Sequence, residues 1–334
     1  RSLGAPGTQR LRRSGDTCMA MTAAELAAHV RKEFSKIVVG QTDAVDQLLV
    51  VVLTGGHALI EGVPGLAKTL AVKCLAHLFN LQFQRVQCTP DLIPADILGG
   101  NIFQPGEGTF RMNRGPVFTD LLLVDEINRM PPRTQSALLE SMEEFQVTID
   151  GVSYPLSRSF AVFATQNPVE FEGTYPLPEA QLDRFLMKIR IGYPEASQES
   201  EILSRYQGGF EARDLDRAGL ERLSKDALEA ARAEAVRVQV EPKLFDYIVA
   251  IVRATRDSAA VSLGASPRAA VAMMLASKAI AATEGRDFLI PDDVKFAAPP
   301  VLRHRMMLKP EADLEGITPD QVISEVLTAI AVPK

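Results

Sequence analysis

From Ala23 onward, short apolar runs of strand length alternate with segments whose apolar residues recur every three or four positions. That alternation predicts an α/β fold in which helices cover both faces of a parallel sheet. The strand-length runs fall at 58–61, 83–88, 121–125, 160–164 and 185–191. Helical spacing holds over 67–79 and 134–145, the second placing Ala137, Leu138, Ser141, Met142 and Phe145 along one face. Two stretches interrupt the alternation. Residues 101–114 centre on Gly106-Glu107-Gly108, and residues 146–159 carry Asp150-Gly151 between alternating side chains; both read as hairpins inserted into the core. Past Gly192-Tyr193-Pro194 the chain becomes Ala-rich and helix-periodic, with breaks at Gly208-Gly209, Gly264, Pro291 and Pro299-Pro300. Two domains are therefore expected, an α/β domain over 23–194 and an all-helical domain over 195–334. A length of 334 residues, 46% of them hydrophobic, suffices for both cores.

Residues 1–22 are set apart by composition. The first fifteen carry Arg1, Arg10, Arg12 and Arg13 among Gly, Ser and Pro with no acid before Asp16, which predicts a disordered tail; Met19 or Met21 would serve as a start. A net charge of -6 lacks the basic excess that draws proteins to nucleic acid, and the longest uninterrupted apolar run, 48–53, is far too short to cross a bilayer. The three cysteines, Cys18, Cys74 and Cys88, have neither disulfide nor zinc spacing. They are expected to be reduced, in a cytoplasmic setting, with Cys74 a small buried hydrophobe beside Leu70 and Leu78. The histidines, His29, His57, His77 and His304, show no ligand spacing, so no metal is assigned to them.

The candidate chemistry begins at Glu61, where GVPGLAKT follows a strand-like run and opens a helix-like one. This is the setting of a phosphate-binding loop, whose glycines let backbone N–H groups and a helix N-terminus face phosphate oxygens. Gly62, Val63, Pro64, Gly65, Leu66, Ala67, Lys68, Thr69 and Leu70 form the expected nucleotide-binding set. Lys68 would neutralise β/γ-phosphate charge, and Thr69 would hold Mg²⁺. Ala67 stands where Gly usually precedes the Lys, and is expected to adopt helical angles there.

The run Leu121-Leu122-Leu123-Val124 ends in Asp125-Glu126. Adjacent strand-end carboxylates diverge, which suits Asp125 to Mg²⁺ and Glu126 to the attacking water, although an isolated pair could simply open a solvated loop. The next run ends in Thr165-Gln166-Asn167-Pro168. Asn167 would lie beside Glu126 if the two strands are neighbours; alternatively it makes a turn before Pro168.

The strings GVPGLAKT, LLLVDEINRMPPRTQSALLESMEE, FATQNPVEFEGTYPLPEAQLDRF and GASPRA, in this order and spanning nearly everything after the tail, resemble the MoxR family of AAA+ ATPases. The resemblance implies a P-loop AAA+ core with a C-terminal helical lid, Mg·ATP hydrolysis and a homo-oligomeric, hexameric ring. It implies that Val39, Gly40 and Gln41 pack against adenine and that Arg184 is the arginine finger reaching a neighbour's γ-phosphate. The alternative for Arg184 is a surface pair with Asp183. Arg268 resembles the second sensor, for its own nucleotide or a neighbour's. Independently, Ser266 and Pro267 have the chemistry of an N-cap and first helical residue, and an Arg in a first turn suggests an anionic partner. The two hairpins correspond to family inserts facing a client; Phe103, Phe110 and Tyr154 are contact candidates there, with core packing the expected fate of each.

Three function classes follow. The first is a chaperone-like ATPase that remodels or matures partner proteins, the family's usual partners carrying von Willebrand factor A domains. The second is a nucleic-acid motor related to helicases, for which Arg111 and Arg114 are the only hint. The third is a nucleotide-gated scaffold, against which Glu126, Asn167 and Arg184 together argue.

Overall fold

A computed structural model describes residues 21–168, 173–211 and 214–333; the Arg-rich start, Cys18, Met19 and residues 169–172 lie outside them. Helices α1 (Ala23–Ser35) and α2 (Thr42–Thr54) come first, then β1 (Ala58–Glu61), α3 (Lys68–Leu78), β2 (Phe83–Gln87) and the short α4 (Pro94–Leu98). A hairpin, β3 (Gly99–Gln104) and β4 (Thr109–Arg114), precedes β5 (Leu121–Asp125) and α5 (Pro132–Glu144). A second hairpin, β6 (Gln146–Ile149) and β7 (Val152–Pro155), leads to β8 (Ala161–Gln166), α6 (Glu179–Leu182) and β9 (Met187–Arg190). The remainder is helical: α7 (Ala196–Gln207), α8 (Lys225–Arg237), α9 (Pro242–Asp257), α10 (Pro267–Thr283), α11 (Pro291–Leu302), α12 (Pro310–Leu314) and α13 (Pro319–Ala329). One short antiparallel pair, β10 (Val261–Leu263) with β11 (Met307–Leu308), interrupts it. Thr22, counted with the tail by composition, is the N-cap of α1, exchanging hydrogen bonds with Glu25 in a capping box.

The central sheet has the order β2-β5-β8-β1-β9, and every pairing in it is parallel. Strand alternation divides its side chains between two apolar clusters. Ala58, Ile60, Leu121, Leu123, Ala161 and Phe163 join a cluster with α1, α2 and α3. Leu59, Leu122, Val124, Val162 and Ala164 point the other way, to Leu138, Leu139 and Met142 of α5. Burial on both faces is why these strands read as continuous apolar runs. The first cluster continues without a break into the C-terminal helices, taking in Leu228 and Ala231 of α8, Ile251 of α9 and Met273 and Ala276 of α10. Arg232 on α8 fixes this junction by donating to the Val52 carbonyl, 2.9 Å, in the last turn of α2. Among the described residues, no helix is long and apolar enough to cross a membrane.

Both hairpins form where the turn chemistry predicts. Asp150 and Gly151, at φ 49° and 80°, make the two-residue loop between Ile149 and Val152. Core packing was expected for their aromatics, and for two of the three this is not the outcome. Phe103 and Phe110 are 50% and 71% exposed and lie opposite each other with ring centroids 5.2 Å apart. The first hairpin is a two-stranded ribbon outside the central sheet; Met112 of β4 packs against the second cluster, while Phe103 and Phe110 stay on the exposed part of the ribbon. Of the three aromatics, Tyr154 alone packs against the second cluster. Phe145 also departs from expectation: it sits past the end of α5 at φ 50°, 40% exposed, and stacks on His57.

His57 closes the N-terminal end of the sheet. Its Nδ1 accepts from Val162 N–H and its Nε2 donates to the Met142 carbonyl, each at 3.0 Å, so the neutral ring takes the place of a backbone rung between β1 and β8. Burial, with the nearby Arg268 charge, pushes its pKa down to about 4, since a protonated ring could not accept from Val162. Stability from this group is complete above the ordinary histidine pKa and is lost as pH falls toward 4, because only the unfolded chain takes up the proton. Between pH 7 and pH 5 the loss should reach about 2 kcal/mol. Urea titrations at both pH values should show a smaller pH dependence in His57→Gln than in wild type, with equal dependence counting against the assignment. His304, also held well below its ordinary pKa by burial and Arg305, contributes with the same sign in both proteins.

Candidate nucleotide-binding and hydrolysis site

The phosphate-binding loop joins the C-terminal end of β1 to the first turn of α3. A Cβ on Gly62 would come within 2.7 Å of the Ile191 carbonyl, so only glycine lets the loop leave the sheet this close to the end of β9. The expectation for Ala67 is corrected: it caps α3 at φ 57°, ψ 20°, in the left-handed region rather than the helical one. That is the conformation for which glycine is the usual choice, and an alanine there costs about 1–2 kcal/mol. Lys68 folds its ammonium back onto the loop, donating to the Gly62 carbonyl and, at 3.4 Å, to Val63.

Beside the loop, an apolar cleft of 160 Å³ is lined by Val38, Val39 and Gln41, by Leu66, Ala67 and Leu70, and by Pro194, Ile202 and Tyr206. It brings the segment before α2 together with the phosphate loop and α7. Gly40 sits at φ 69°, and a Cβ there would meet the Gln198 carboxamide at 2.6 Å. Gln41 donates to the Gly192 carbonyl, 2.9 Å, and Arg205 to the Ser35 carbonyl, 2.9 Å. Ile202, Arg205 and Tyr206 carry no signal in the sequence; they reach the cleft only because α7 folds back over it.

Asp125 ends β5 buried, with both oxygens engaged. Oδ1 accepts from the Thr165 hydroxyl at 3.0 Å; Oδ2 accepts from the Thr69 hydroxyl at 3.3 Å and from Arg85 Nε at 2.6 Å. Thr69 and Asp125 are thus brought together as hard oxygen donors, the set that suits Mg²⁺, and the Arg85 guanidinium marks the spot as one that attracts positive charge. Glu126 lies just beyond, its backbone at φ 58°, ψ 53° and its N–H held by the Thr165 hydroxyl, 2.9 Å. A non-glycine residue held there stores of order 1–3 kcal/mol of strain. Its carboxylate meets Arg129 at 3.1 Å. β5 and β8 are neighbours in register, Val124 opposite Ala164, so the buried Asn167 falls on the same edge of the sheet as Glu126. Cys88, donating its N–H to the Asp125 carbonyl at 2.9 Å, is no nucleophile: burial and the two adjacent carboxylates push its thiol up to about 12. Burial pushes Cys74 up likewise, to about 12.

Arg184 and Arg268 are elsewhere. Arg184 precedes β9 and Arg268 opens α10, and both line a hollow with His57, Gly56 and Glu143 at the N-terminal ends of the strands. The phosphate loop leaves the opposite ends. The four residues of β1 alone set these edges roughly 13 Å apart. Arg184 does not pair with Asp183. It binds Glu143 at 2.9 Å and the Leu139 carbonyl at 2.9 Å, and Arg268 reaches the same Glu143 at 3.3 Å. Asp183 is taken instead by Arg305, 2.6 Å, and by the Ser266 hydroxyl, 2.9 Å. Ser266 is the N-cap by backbone, but its side chain bonds Asp183 instead of capping α10. Arg305 is buried and also donates to the Asp183, Phe185 and Leu186 carbonyls.

Comparison with known proteins agrees with this architecture. Residues 57–187 match the model of the ATPase family associated with various cellular activities (AAA), and residues 253–326 match the AAA lid domain. Chaperone MoxR1 of Mycobacterium tuberculosis is 44% identical over 311 residues, covering 90% of this chain and 81% of that protein. Protein MoxR of Methylorubrum extorquens is 31% identical over 332 residues, 92% of this chain and 94% of that one. The crystal structure of a candidate ATPase from Cytophaga hutchinsonii superposes with a TM-score of 0.82 at 41% identity, covering 93% of this chain and 98% of the other. With the phosphate loop, the strand-end carboxylates and the helical lid all in place, the chain belongs to the MoxR family of AAA+ ATPases.

Proposed function

We propose that this chain hydrolyses Mg·ATP at sites shared between adjacent copies in a hexameric ring, and uses the cycle to remodel or mature partner proteins. The observation that carries the reading is the separation of its chemistry: the phosphate loop, Asp125, Glu126 and Asn167 occupy one edge of the parallel sheet, and Arg184 and Arg268 the other. One copy alone cannot place its own arginines on its own triphosphate. Head-to-tail packing would set the arginine edge of one subunit against the nucleotide edge of the next, and a heterologous contact of that kind gives a ring where its rotation closes.

In this reading the cleft beside Val39, Gly40 and Gln41 receives the adenine, while the backbone of residues 62–67 and the start of α3 receive the phosphates. Lys68 turns from the loop carbonyls toward the β/γ-phosphate oxygens. Thr69 and Asp125 would hold Mg²⁺, which would supply positive charge against the phosphate oxygens. Glu126 takes the proton of the attacking water; Asn167 orients that water and detects the γ-phosphate. Arg184 and Arg268 of the adjacent copy spread donors over the equatorial oxygens. The chaperone-like role draws on the name of the Mycobacterium tuberculosis relative, and a partner with a von Willebrand factor A domain on the family resemblance. The exposed Phe103 and Phe110 pair offers the first hairpin as the client contact.

Phosphate release with Mg·ATP, followed across protein concentration, tests the shared site. Specific activity should rise steeply as copies assemble and then level off. Turnover per chain that is unchanged under dilution to dissociated protomers would refute it.

A further inference from the structure

We propose that Glu143 is a positioning residue for catalysis, its carboxylate bridging Arg184 and Arg268 so that both guanidinium groups face an adjacent copy's triphosphate as one preset pair. The inference rests on the shared-site reading above. Glu143 lies in the last turn of α5 and gives one oxygen to each arginine: Oε2 to Arg184 at 2.9 Å and Oε1 to Arg268 at 3.3 Å. The bridge is not a device for stability. The side chains of Arg184, Arg268 and Glu143 are 29%, 48% and 38% exposed, and ion pairs this open to solvent contribute only about 0–1 kcal/mol.

Its consequence is geometric. Two guanidinium groups drawn from segments more than eighty residues apart would repel each other and diverge without an anion between them. Arg184 is held additionally by the Leu139 carbonyl, one turn back on α5. Arg268 has no such second anchor among the described residues, so the bridge is what sets its direction. The ground behind the pair is already rigid: Asp183 ties the segment bearing Arg184 to Ser266 at the start of α10 and to Arg305. Glu143 therefore completes a fixed frame with only the guanidinium tips left to orient. Two cations sharing one anion leave the bridged trio itself with one net positive charge. Preorganised charge of this kind acts on the transition state more than on ground-state binding.

The test is a double-mutant cycle in the full-length protein at ring-forming concentration. Glu143→Gln should lower kcat about 10²-fold, the cost of a displacement near 1 Å, with KM for ATP, ring assembly by sedimentation and thermal midpoint unchanged. Glu143→Asp, which keeps the charge on a shorter arm, should fall between. In an Arg184→Ala, Arg268→Ala background the further loss from Glu143→Gln should vanish. A Glu143→Gln kcat within about twofold of wild type, or the same fractional loss in the double-arginine background, would overturn the proposal. If the arginine variants themselves keep full turnover, the shared-site reading falls first and takes this inference with it.

Discussion

Arg184→Ala should lower phosphate release about 10³- to 10⁵-fold, the range over which an arginine finger acts, and leave ATP affinity at its own phosphate loop unchanged. The expectation follows from where Arg184 stands. It lines the hollow at the N-terminal ends of the strands, away from the loop that binds nucleotide in the same copy, so its removal cannot weaken that pocket directly. The decisive form of the experiment mixes two dead proteins. Lys68→Ala should bind ATP poorly yet carry intact arginines, and Arg184→Ala should do the reverse. In a ring assembled at random from equal amounts, about one seam in four pairs an intact loop with an intact finger, and the mixture should recover activity toward that fraction. A mixture that forms rings by sedimentation but hydrolyses no faster than its components would show that Arg184 acts within its own subunit.

Glu126→Gln should lower turnover by about 10²–10⁴, the contribution of a positioned general base, with ATP still bound. The substitution is nearly isosteric and keeps a hydrogen-bond acceptor for Arg129, which pairs with Glu126 at 3.1 Å. The backbone there, at φ 58°, is set by the Thr165 hydroxyl and does not depend on the carboxylate. Affinity for a fluorescent ATP analogue should stay within about threefold of wild type and single-turnover hydrolysis should stall. A variant that retains more than a tenth of wild-type turnover would assign the base to another group. Of the carboxylates on this edge, Asp125 is the one whose two oxygens are already engaged, by Thr69, Thr165 and Arg85.

How much of this was legible in the sequence depended on whether the responsible contacts are local. The five strands and the phosphate loop are written in contiguous residues, because a buried parallel strand must be apolar throughout and a loop that wraps phosphate must place Gly62, Lys68 and Thr69 at fixed spacing. Asp125 and Glu126 were readable for the same reason. The conformation of Ala67 was not, since nothing in GLAKT separates a helical residue from a left-handed cap. The exposure of Phe103 and Phe110 was missed because an apolar residue in a strand ordinarily signals a buried face, and the sequence does not state that this ribbon projects from the sheet. The partners of Arg184 and Asp183 lay further out of reach. Glu143 and Arg305 meet them across 41 and 122 residues respectively, and their near neighbour in sequence, the other member of the Asp183-Arg184 dipeptide, was the natural but incorrect choice. The α7 side of the cleft beside the phosphate loop was invisible on the same grounds.

The apolar cluster that runs unbroken from α1 and α2 into α8, α9 and α10, bolted at Arg232 and Arg305, has a mechanical meaning. A lid that shares its core with the domain beneath it is not a flap on a hinge. The subunit would then behave as a stiff block, and in the proposed ring the compliance would reside in the seams, where the arginines of one copy would face the nucleotide of the next across screened, exchangeable ion pairs. Work drawn from ATP would then appear as tilting of whole blocks against one another, carrying the projecting hairpins through an arc set by the length of the subunit, as the teeth of a wheel move with its spokes.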